Sequence, residues 1–325
     1  MRSFRPLSPL GRAGWRYTEA VYDVVVVGKA NIDYLVRGPR LPGPGQSVTG
    51  DAFHEAAGGK GANQAVGAAR LGAKVALVAR VGRDARGDTV IAALHDAGVE
   101  TRFVTRDPVE PTGVGLCQVG ASGEKQILSA AGANARLTAG CVRDAAEALC
   151  SAKVVLCQLG VPLEAVAEAI RLGRGKGALA ILDPGPPAPV PDALIAQLDL
   201  IRPNTSEARA LTGIAVCDRG SAREAALNLF RRGAKCVAVQ AGEHGDVLLS
   251  RESELWLPRF EVKRVDATGA GDAFASAFAV CLAEGKPLAE AGPFASAAAA
   301  LATTVLGAQA SLPRRAAVLE LLARR

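Results

Sequence analysis

Residues 265–274 of the 325-residue chain read VDATGAGDAF and lead directly into a helical run of small and apolar residues. The glycines permit a tight turn, and the first amides of the following helix lack partners within it, so they can bind an anion. Negative charge that develops on a transferring phosphoryl group would be stabilised there. Asp272 lies in the first turn, where its carboxylate can orient a hydroxyl and accept its proton. The segment therefore predicts phosphoryl transfer, and the plainer alternative is an aspartate that caps its own helix.

A second glycine-rich segment, GGKGANQ at residues 58–64, also precedes a predicted helix. Adjacent glycines let a ligand approach the backbone, and Lys60 and Asn63 carry donors suited to sugar hydroxyls. The segment is not a P-loop, because the pattern G-x-x-x-x-G-K-[ST] is absent. It predicts a sugar site, and the alternative is a glycine-rich entry to a packed helix.

A third polar segment, GKANID at residues 28–33, follows the first predicted strand. Ligands of open α/β sheets lie beyond the C-terminal ends of the strands, which is where this loop falls. Asn31 and Asp33 are separated by one residue, so an extended backbone turns both side chains to one face. The pair is predicted to bind vicinal hydroxyls, unless it forms an Asx turn that merely ends the strand.

The elements that must position these segments follow from the apolar pattern. Residues 23–28 read DVVVVG, a run too short for a helix and typical of a strand buried on both faces. Similar runs lie at residues 74–80, 153–159, 178–183, 198–202 and 236–240, alternating with segments of helical period, and long helices are predicted at 270–285, 288–306 and 313–322. This alternation predicts an α/β fold, with a mostly parallel central sheet and helices on both faces.

Two segments, residues 34–57 and 112–131, interrupt that alternation with prolines, glycines and short strand-like runs. We predict that they form a small β-sheet that serves as a lid on a core made of residues 21–33, 58–111 and 132–325. An edge extension of the main sheet is the alternative. Residues 1–20, rich in arginine, proline and glycine, predict a disordered extension, with a transit peptide as the alternative.

Composition excludes several classes of protein. The formal net charge of +6 is spread among mixed acidic and basic residues without a long like-charged block, so no nucleic-acid partner is expected. No run reaches the roughly 18 apolar residues of a membrane span, so no membrane partner is expected. The seven cysteines show no metal-like spacing and are predicted to be reduced and buried, which favours a cytoplasmic location.

The three polar segments occur in this order with DPGPP at residues 183–187, PNTSE at 203–207 and GAQASLP at 307–313. Together they resemble the ribokinase branch of the PfkB carbohydrate kinase family over residues 22–322. The resemblance implies a ribokinase-like fold in which Asp272 is the catalytic base. It implies an anion hole at Gly269, Ala270 and Gly271, and a sugar site at Asn31, Asp33, Gly59, Lys60, Asn63 and Asp272.

The same resemblance implies ATP, Mg2+ and K+ as cofactors. The positions implied for nucleotide, magnesium and phosphate are Asn204, Glu207, Gln240, Gly242, His244, Gly245, Gly271 and Ser296. Those implied for the monovalent cation are Asp266, Thr268, Ala302, Val305, Gly307 and Ser311, several of which would supply only backbone carbonyls. For Asn204 and Glu207 the structural alternative is a capping box, with the acid three residues after the cap.

The chain departs from the ribokinase pattern at two positions. Relatives usually carry a glutamate that contacts the sugar where this chain has Gly160. One charge-assisted hydrogen bond is worth about 1.5–3 kcal/mol, enough to weaken ribose binding or to admit another sugar. Ser296 stands where relatives often have Asn or His near the adenine, so the nucleobase preference is open.

The predicted function is ATP-dependent phosphorylation of D-ribose to D-ribose 5-phosphate. A kinase of another substrate, such as fructose, another ketose, a sugar acid or a nucleoside, is the first alternative, and a catalytically weak sugar- or nucleotide-binding regulator is the second. A dinucleotide-dependent oxidoreductase is excluded because no G-x-G-x-x-G follows the first strand. Since the lid sheet would have exposed edges, a homodimer that pairs through it is predicted.

Overall fold

The computed structural model describes residues 21–122, 124–257 and 259–324. The large sheet contains β1 (Tyr22–Val27), β4 (Val75–Gly82), β5 (Val104–Asp107), β8 (Ala152–Gln158), β9 (Leu179–Asp183), β10 (Leu200–Ile201), β11 (Cys236–Gln240), β12 (Asp246–Ser250) and β13 (Glu254–Leu257). The small sheet contains β2 (Asn31–Gly38), β3 (Ala52–Gly58), β6 (Gly113–Gly120) and β7 (Lys125–Ala130). The α-helices are α1 (Lys60–Arg70), α2 (Ala85–Asp96), α3 (Ala139–Asp144), α4 (Ala146–Cys150), α5 (Leu163–Gly175), α6 (Asp192–Ile195), α7 (Thr205–Thr212), α8 (Arg219–Arg231), α9 (Ala270–Ala283), α10 (Leu288–Ala302), α11 (Ala308–Ser311) and α12 (Arg315–Ala323).

The strand order of the large sheet is β13-β12-β11-β10-β9-β8-β1-β4-β5. Every pair from β11 to β5 is parallel, whereas β12 and β13 pair antiparallel at one edge. The predicted α/β class with a mostly parallel sheet is confirmed. The two antiparallel edge strands were not predicted, because their four- and five-residue runs carry little periodic signal.

The valines of β1 show how the sheet is buried on both faces. Val24 and Val26 lie in a core layer with α1, α9 and α10, while Val25 and Val27 lie in a second layer with α4, α5 and α8. All four side chains are fully buried. Because successive strand residues point to opposite faces, a continuous valine run satisfies both layers.

The small sheet is separate from the large one and has the strand order β3-β2-β6-β7. Strand β2 pairs antiparallel with β3 and parallel with β6, and β6 and β7 form an antiparallel hairpin. The alternative of an edge extension of the main sheet is therefore wrong. Strand β2 begins at Asn31 and β3 ends at Gly58, so the small sheet includes residues that the sequence assigned to the core.

Two sequence expectations require correction. Helix α10 ends at Ala302 instead of continuing to residue 306, because the Thr303 carbonyl turns away to accept the amides of Val265 and Asp266.

The seven cysteines are free thiols, but they are not all buried, since Cys217 is exposed and two others are half-buried. The expectation for residues 1–20 falls outside the described residues. Among the helices of the described ranges, none combines the length and apolarity needed to cross a bilayer.

Helices α1 and α9 pack closely where Gly67 faces Ser276. A Cβ placed on Gly67 would lie 2.5 Å from the Ser276 Oγ and 3.1 Å from its Cβ. The Ser276 hydroxyl is buried and donates to the Ala273 carbonyl, so it has little room to move. The glycine thus sets the separation of the two helices that begin at the polar segments identified above.

We expect Gly67→Ala to lower the free energy of unfolding by about 1–2 kcal/mol, because overpacking outweighs the higher helix propensity of alanine. Urea denaturation measures this. Adding Ser276→Ala removes the Oγ and should recover part of the loss. The matched control is Gly220→Ala in α8, where a Cβ would meet nothing closer than 3.4 Å. An increase in stability for Gly67→Ala would contradict the close packing.

Candidate active site

A cavity of about 660 Å³ opens at the C-terminal ends of the parallel strands, between the large sheet, the small sheet and the first turn of α9. It brings together residues from each polar segment of the sequence. The predicted site residues that line it are Asn31, Asp33, Gly59, Lys60, Asn63, Asn204, Gln240, Gly242, Thr268, Gly269, Ala270, Gly271 and Asp272. Residues separated by more than 200 positions in the sequence therefore share one cavity.

Asp272 lies in the first turn of α9 and is only 6% exposed. Its Oδ2 accepts a hydrogen bond from Asn63 Nδ2 and its Oδ1 accepts one from Gln64 Nε2, both at 3.0 Å. Gly269 precedes the helix with a φ of 88°, a left-handed conformation that a glycine adopts without strain. The Asp272 side chain is held by amides of α1, so it does not simply cap its own helix.

Asp183, at the C-terminal end of β9, is a member of the site that the sequence analysis did not assign. Lys60 Nζ lies 2.9 and 2.8 Å from its two carboxylate oxygens, and Gln64 Nε2 donates to Oδ2 at 2.6 Å. Gln64 therefore bridges the carboxylates of Asp183 and Asp272. The sequence pattern that could have identified Asp183 is an acid at the end of a buried strand, directly before the prolines and glycine of residues 184–187.

The electrostatics of this cluster set the proton affinity of Asp272. Burial raises the pKa of Asp272, and the negative charge of Asp183 raises it further, whereas Lys60 and the two amide donors lower it. Burial alone would lower the pKa of Lys60, but the three acids Asp183, Asp272 and Glu207 raise it, so the lysine stays charged. The net effect is a carboxylate with a higher proton affinity than a solvent-exposed one, as a general base requires.

Asn31 and Asp33 meet as the sequence predicted, since Asn31 Nδ2 donates to Asp33 Oδ1 at 2.6 Å. Both residues belong to β2, so they do not form an Asx turn that ends the first strand. Asp33 lies against the glycines of the two neighbouring strands: a Cβ on Gly58 or Gly115 would lie 2.0 or 2.3 Å from its carboxylate oxygens. Burial raises the pKa of Asp33, while Asn31 and Lys29 lower it.

A smaller cavity of about 120 Å³ adjoins the first and shares Gln240, Gly242 and Ala270 with it. Gly245 and Ser296 line this smaller cavity. His244 lines neither of the two cavities, and its side chain is exposed. The end of β11 and the loop after it thus place three of their four predicted nucleotide-site residues at the cavities and one away from them.

Arg202 is a second site residue that the sequence analysis did not assign. It lines both cavities, is 4% exposed, and its guanidinium lies 4.8 Å from the Phe274 ring centroid. Within the described part of the chain, its nearest carboxylate oxygen, on Asp246, is 3.9 Å away, and its Nε has no hydrogen-bond partner. A buried cation with such weak pairing, beside the first turn of α9, can bind an anion.

Asn204 and Glu207 form the capping box that begins α7. The structural alternative drawn from the sequence is therefore correct. Asn204 also lines the main cavity, and the buried Glu207 carboxylate lies 3.8 Å from Lys60 Nζ. The capping role thus places both residues at the edge of the site without excluding a second role there.

The positions implied for a monovalent cation lie beside the start of α9. Asp266 Oδ1 accepts the amide and hydroxyl of Thr268, and its Oδ2 accepts the Gly307 amide. Ser311 Oγ donates weakly to the Thr268 carbonyl at 3.5 Å. Ala302 is buried at the end of α10, and the Val305 side chain is 44% exposed. Asp266 and Thr268 thereby connect the segment before α9 with the segment after α10.

Comparison with known protein families matches residues 22–315 to the pfkB family carbohydrate kinases. The chain belongs to the PfkB family of carbohydrate kinases. Among similar PfkB kinases, the ribokinase of Haemophilus influenzae is 38% identical over 92% of this chain and 98% of its own length. The deoxyribokinase of Salmonella typhi is 35% identical over 90% of this chain and 95% of its own.

Solved structures of PfkB kinases show the same fold. The structure of Arabidopsis thaliana ribokinase complexed with ribose and ATP has a TM-score of 0.84 and 34% identity, and covers 93% of this chain and 98% of that one. A ribokinase of Thermotoga maritima gives a TM-score of 0.83 at 32% identity. The predicted ribokinase-like fold is confirmed, and this PfkB kinase is an ATP-dependent sugar kinase.

In this PfkB kinase we expect Lys60→Met to shift the acid limb of kcat/KM to higher pH. The ammonium stabilises the ionised form of Asp272, so without it the carboxylate keeps its proton until a higher pH, and Asp183 adds to this effect. At the pH of the wild-type acid limb, the variant therefore has a lower kcat/KM than the wild type. Steady-state kinetics across pH measure the shift.

The control for Lys60→Met is Lys176→Met, which removes an exposed lysine at the end of α5. Thermal denaturation must accompany the kinetics, since leaving a buried carboxylate unpaired costs about 3–5 kcal/mol. A uniform fall in kcat/KM with an unmoved acid limb would assign Lys60 to substrate binding alone.

Proposed function

We propose that this chain transfers the γ-phosphoryl group of ATP to the terminal hydroxymethyl group of D-ribose, giving D-ribose 5-phosphate. The observation that carries the proposal is the buried carboxylate of Asp272, which faces a cavity lined by the sugar-type donors and acceptors of β2 and α1. The ribokinases similar to the whole chain, including the Arabidopsis protein solved with ribose and ATP, support ribose as the substrate.

The acceptor hydroxyl would lie against Asp272, which orients it and receives its proton as the oxygen attacks the γ-phosphorus. Charge on the transferring group would be stabilised by the amides at Gly269, Ala270 and Gly271. The buried, weakly paired guanidinium of Arg202 lies on the same side, so we add it to the groups that bind phosphate. Direct in-line transfer needs no covalent intermediate on the protein.

The sugar itself would be bound by polar groups that line the main cavity and retain some hydrogen-bonding capacity. Asn63 Oδ1 is buried and has no hydrogen-bond partner among the residues that the structure describes, so it is available to accept from a sugar hydroxyl. Asp33 offers further acceptor positions, and Gly59 and Lys60, at the start of α1, line the same cavity. A buried acceptor without a partner costs free energy until a ligand satisfies it, which favours a polyhydroxylated substrate.

The nucleotide would occupy the side of the site formed by Gln240, Gly242, Gly245 and Ser296, with Asn204 and Glu207 nearby to position Mg2+ and phosphate. Carboxylate and carbonyl oxygens are ligands that Mg2+ accepts, usually through water. The cation positions around Asp266 would offer oxygen ligands, namely a carboxylate, the hydroxyls of Thr268 and Ser311, and backbone carbonyls, which suits K+. Each ion would supply electrostatic stabilisation of phosphate charge when bound.

A kinase of another sugar is the second candidate, and two observations favour it. One of the similar proteins is a deoxyribokinase, and Gly160 leaves the chain without the acid implied at that position. Fructose, other ketoses, sugar acids and nucleosides belong to the same candidate class. A catalytically weak regulator is disfavoured by the intact Asp272 network.

Phosphorylation of D-ribose, 2-deoxy-D-ribose, D-fructose and a nucleoside should be measured with ATP, Mg2+ and K+ for the wild type and Asp272→Asn. We expect turnover of ribose that falls about 10²–10⁴-fold in the variant, because an amide cannot accept the hydroxyl proton. ATP binding, measured by calorimetry, should persist. Asp96→Asn, an exposed change at the end of α2, is the control.

Preference for another sugar, again lost in Asp272→Asn, would move the assignment to the second candidate. Absence of turnover on every sugar with ATP binding intact would support the regulator.

We also propose that the small sheet acts as a lid over the sugar and pairs with a second subunit. Its two faces differ in character, as the strand register shows. Asn31, Asp33, Ile127 and Ser129 line the active-site cavity. On the other face, apolar side chains are exposed by 43–72%, namely Val36, Phe53, Leu116 and Leu128. Cross-strand pairs place these four on one side, opposite the cavity.

Covering that apolar face with a second copy would remove it from water, which supports the predicted homodimer. We expect the wild type to sediment as a dimer at micromolar concentration, and the double variant Phe53→Glu with Leu128→Glu to sediment as a monomer, since four charges would be buried in the interface. The control is Val109→Glu, an exposed apolar residue outside the small sheet. A monomeric wild type would refute the homodimer.

A cytoplasmic location remains a prediction from the sequence.

A further inference from the structure

Next to the sugar site lies another cavity, of about 310 Å³, which we call the side pocket. Its described lining residues are Lys29, Asn31, Val114, Ser129, Ala130, Ala131, Asn134, Ala135, Leu159, Gly160, Val161, Pro162 and Pro186. It shares Lys29, Asn31, Ser129 and Pro186 with the active-site cavity, so the two are continuous. None of these lining residues belongs to α9, so the side pocket extends the sugar site away from Asp272.

Lys29 is the one charged residue among the described residues that line the side pocket. Its side chain lies across Gly160: a Cβ at that glycine would be 2.8 Å from Lys29 Cδ and 3.0 Å from Cγ. The lysine stem therefore occupies the space into which a side chain at position 160 would project. The absence of a side chain at Gly160 is what allows Lys29 to lie there.

The Lys29 ammonium is available to a ligand. Within the described ranges, the ammonium donates no hydrogen bond and forms no ion pair, although it does act electrostatically on Asp33. The remaining wall is mostly apolar, and its two buried amides, Asn31 and Asn134, both form hydrogen bonds. Asn31 Nδ2 donates to Asp33 Oδ1. Asn134 accepts the Ala30 amide and donates to the carbonyls of Ala30 and Ala131.

These features define the charge of the group that fits. A half-buried ammonium beside apolar walls favours the binding of an anion. The walls exclude water and lower the local dielectric, which strengthens the attraction between opposite charges. One lysine and the Ser129 hydroxyl can satisfy a singly charged carboxylate. A doubly charged phosphate would need more donors than this wall offers.

We propose that Lys29 and Gly160 form a carboxylate subsite, through which this kinase accepts a sugar acid of the aldonic type in addition to ribose. The proposal rests on the proposed function, since the same Asp272 and ATP serve both substrates. The carboxylate would lie in the side pocket, and the terminal hydroxyl would lie at Asp272.

The reaction on the acid is the same phosphoryl transfer. A bond forms between the terminal hydroxyl oxygen and the γ-phosphorus, the bond from that phosphorus to the bridging oxygen breaks, and ADP leaves with the electron pair. The hydroxyl proton passes to Asp272. The carboxylate takes no part in bond making, so Lys29 acts on specificity alone.

The test compares kcat/KM for D-ribonate and D-ribose in the wild type, Lys29→Met and Gly160→Glu. We expect measurable phosphorylation of D-ribonate by the wild type. The ratio of its kcat/KM to that of ribose should fall by about 10–100-fold in Lys29→Met, mainly through KM, as expected for a lost charge-assisted hydrogen bond. Lys176→Met serves as the control and should leave the ratio unchanged.

Gly160→Glu should lower the same ratio, because its carboxylate would pair with Lys29 and repel the substrate. Calorimetric titration of D-ribonate without ATP gives a second readout, in which Lys29→Met should weaken binding by a similar factor. Circular dichroism and thermal denaturation show whether each variant folds.

Each outcome is decisive. If ribose is phosphorylated but D-ribonate is neither bound nor phosphorylated, the subsite is refuted and the proposed function stands. If D-ribonate is a substrate whose ratio to ribose is the same in Lys29→Met, the carboxylate is bound elsewhere and the proposal also fails. If neither compound is phosphorylated by the wild type, the proposed function fails, and the inference fails with it.

Discussion

The site depends on a buried carboxylate that is held by amides instead of by a cation. Asn63 and Gln64 on α1 both donate to Asp272 on α9, whereas the nearby ammonium of Lys60 is paired with Asp183. Amide donors fix the position of Asp272 without neutralising it, and its burial raises its pKa. The geometry of the base therefore depends on two helices remaining at a fixed separation.

That separation is set by small residues. Gly67 and Ser276 bring α1 and α9 together, and a Cβ on Gly61 would lie 2.7 Å from the Gly28 carbonyl carbon, so the end of β1 contacts the start of α1 directly. Close backbone approach places the polar first turn of each helix at the same end of the sheet. The many alanines of α9 and α10 serve the same close packing, and this explains how a chain with 4% aromatic residues still buries a continuous core.

The small sheet joins two requirements in one element. One face supplies Asn31 and Asp33 to the cavity, and the other presents the exposed apolar side chains of Phe53 and Leu128. The glycines at 58 and 115 belong to this design, because any side chain there would collide with the Asp33 carboxylate. One sheet can carry both a polar face and an apolar face, because successive strand residues point in opposite directions.

The sequence by itself determined the fold class, the existence of a separate small sheet and the three polar segments around the site, because these depend on local periodicity and on glycine-rich turns. It also placed Asp272 in the first turn of its helix. Only the tertiary structure decided that Asp183 pairs with Lys60, that Arg202 is buried beside α9, and that the Lys29 side chain occupies the space left by Gly160. These are contacts between residues at least 70 positions apart, and they depend on the three-dimensional direction of each side chain, which local sequence patterns do not encode.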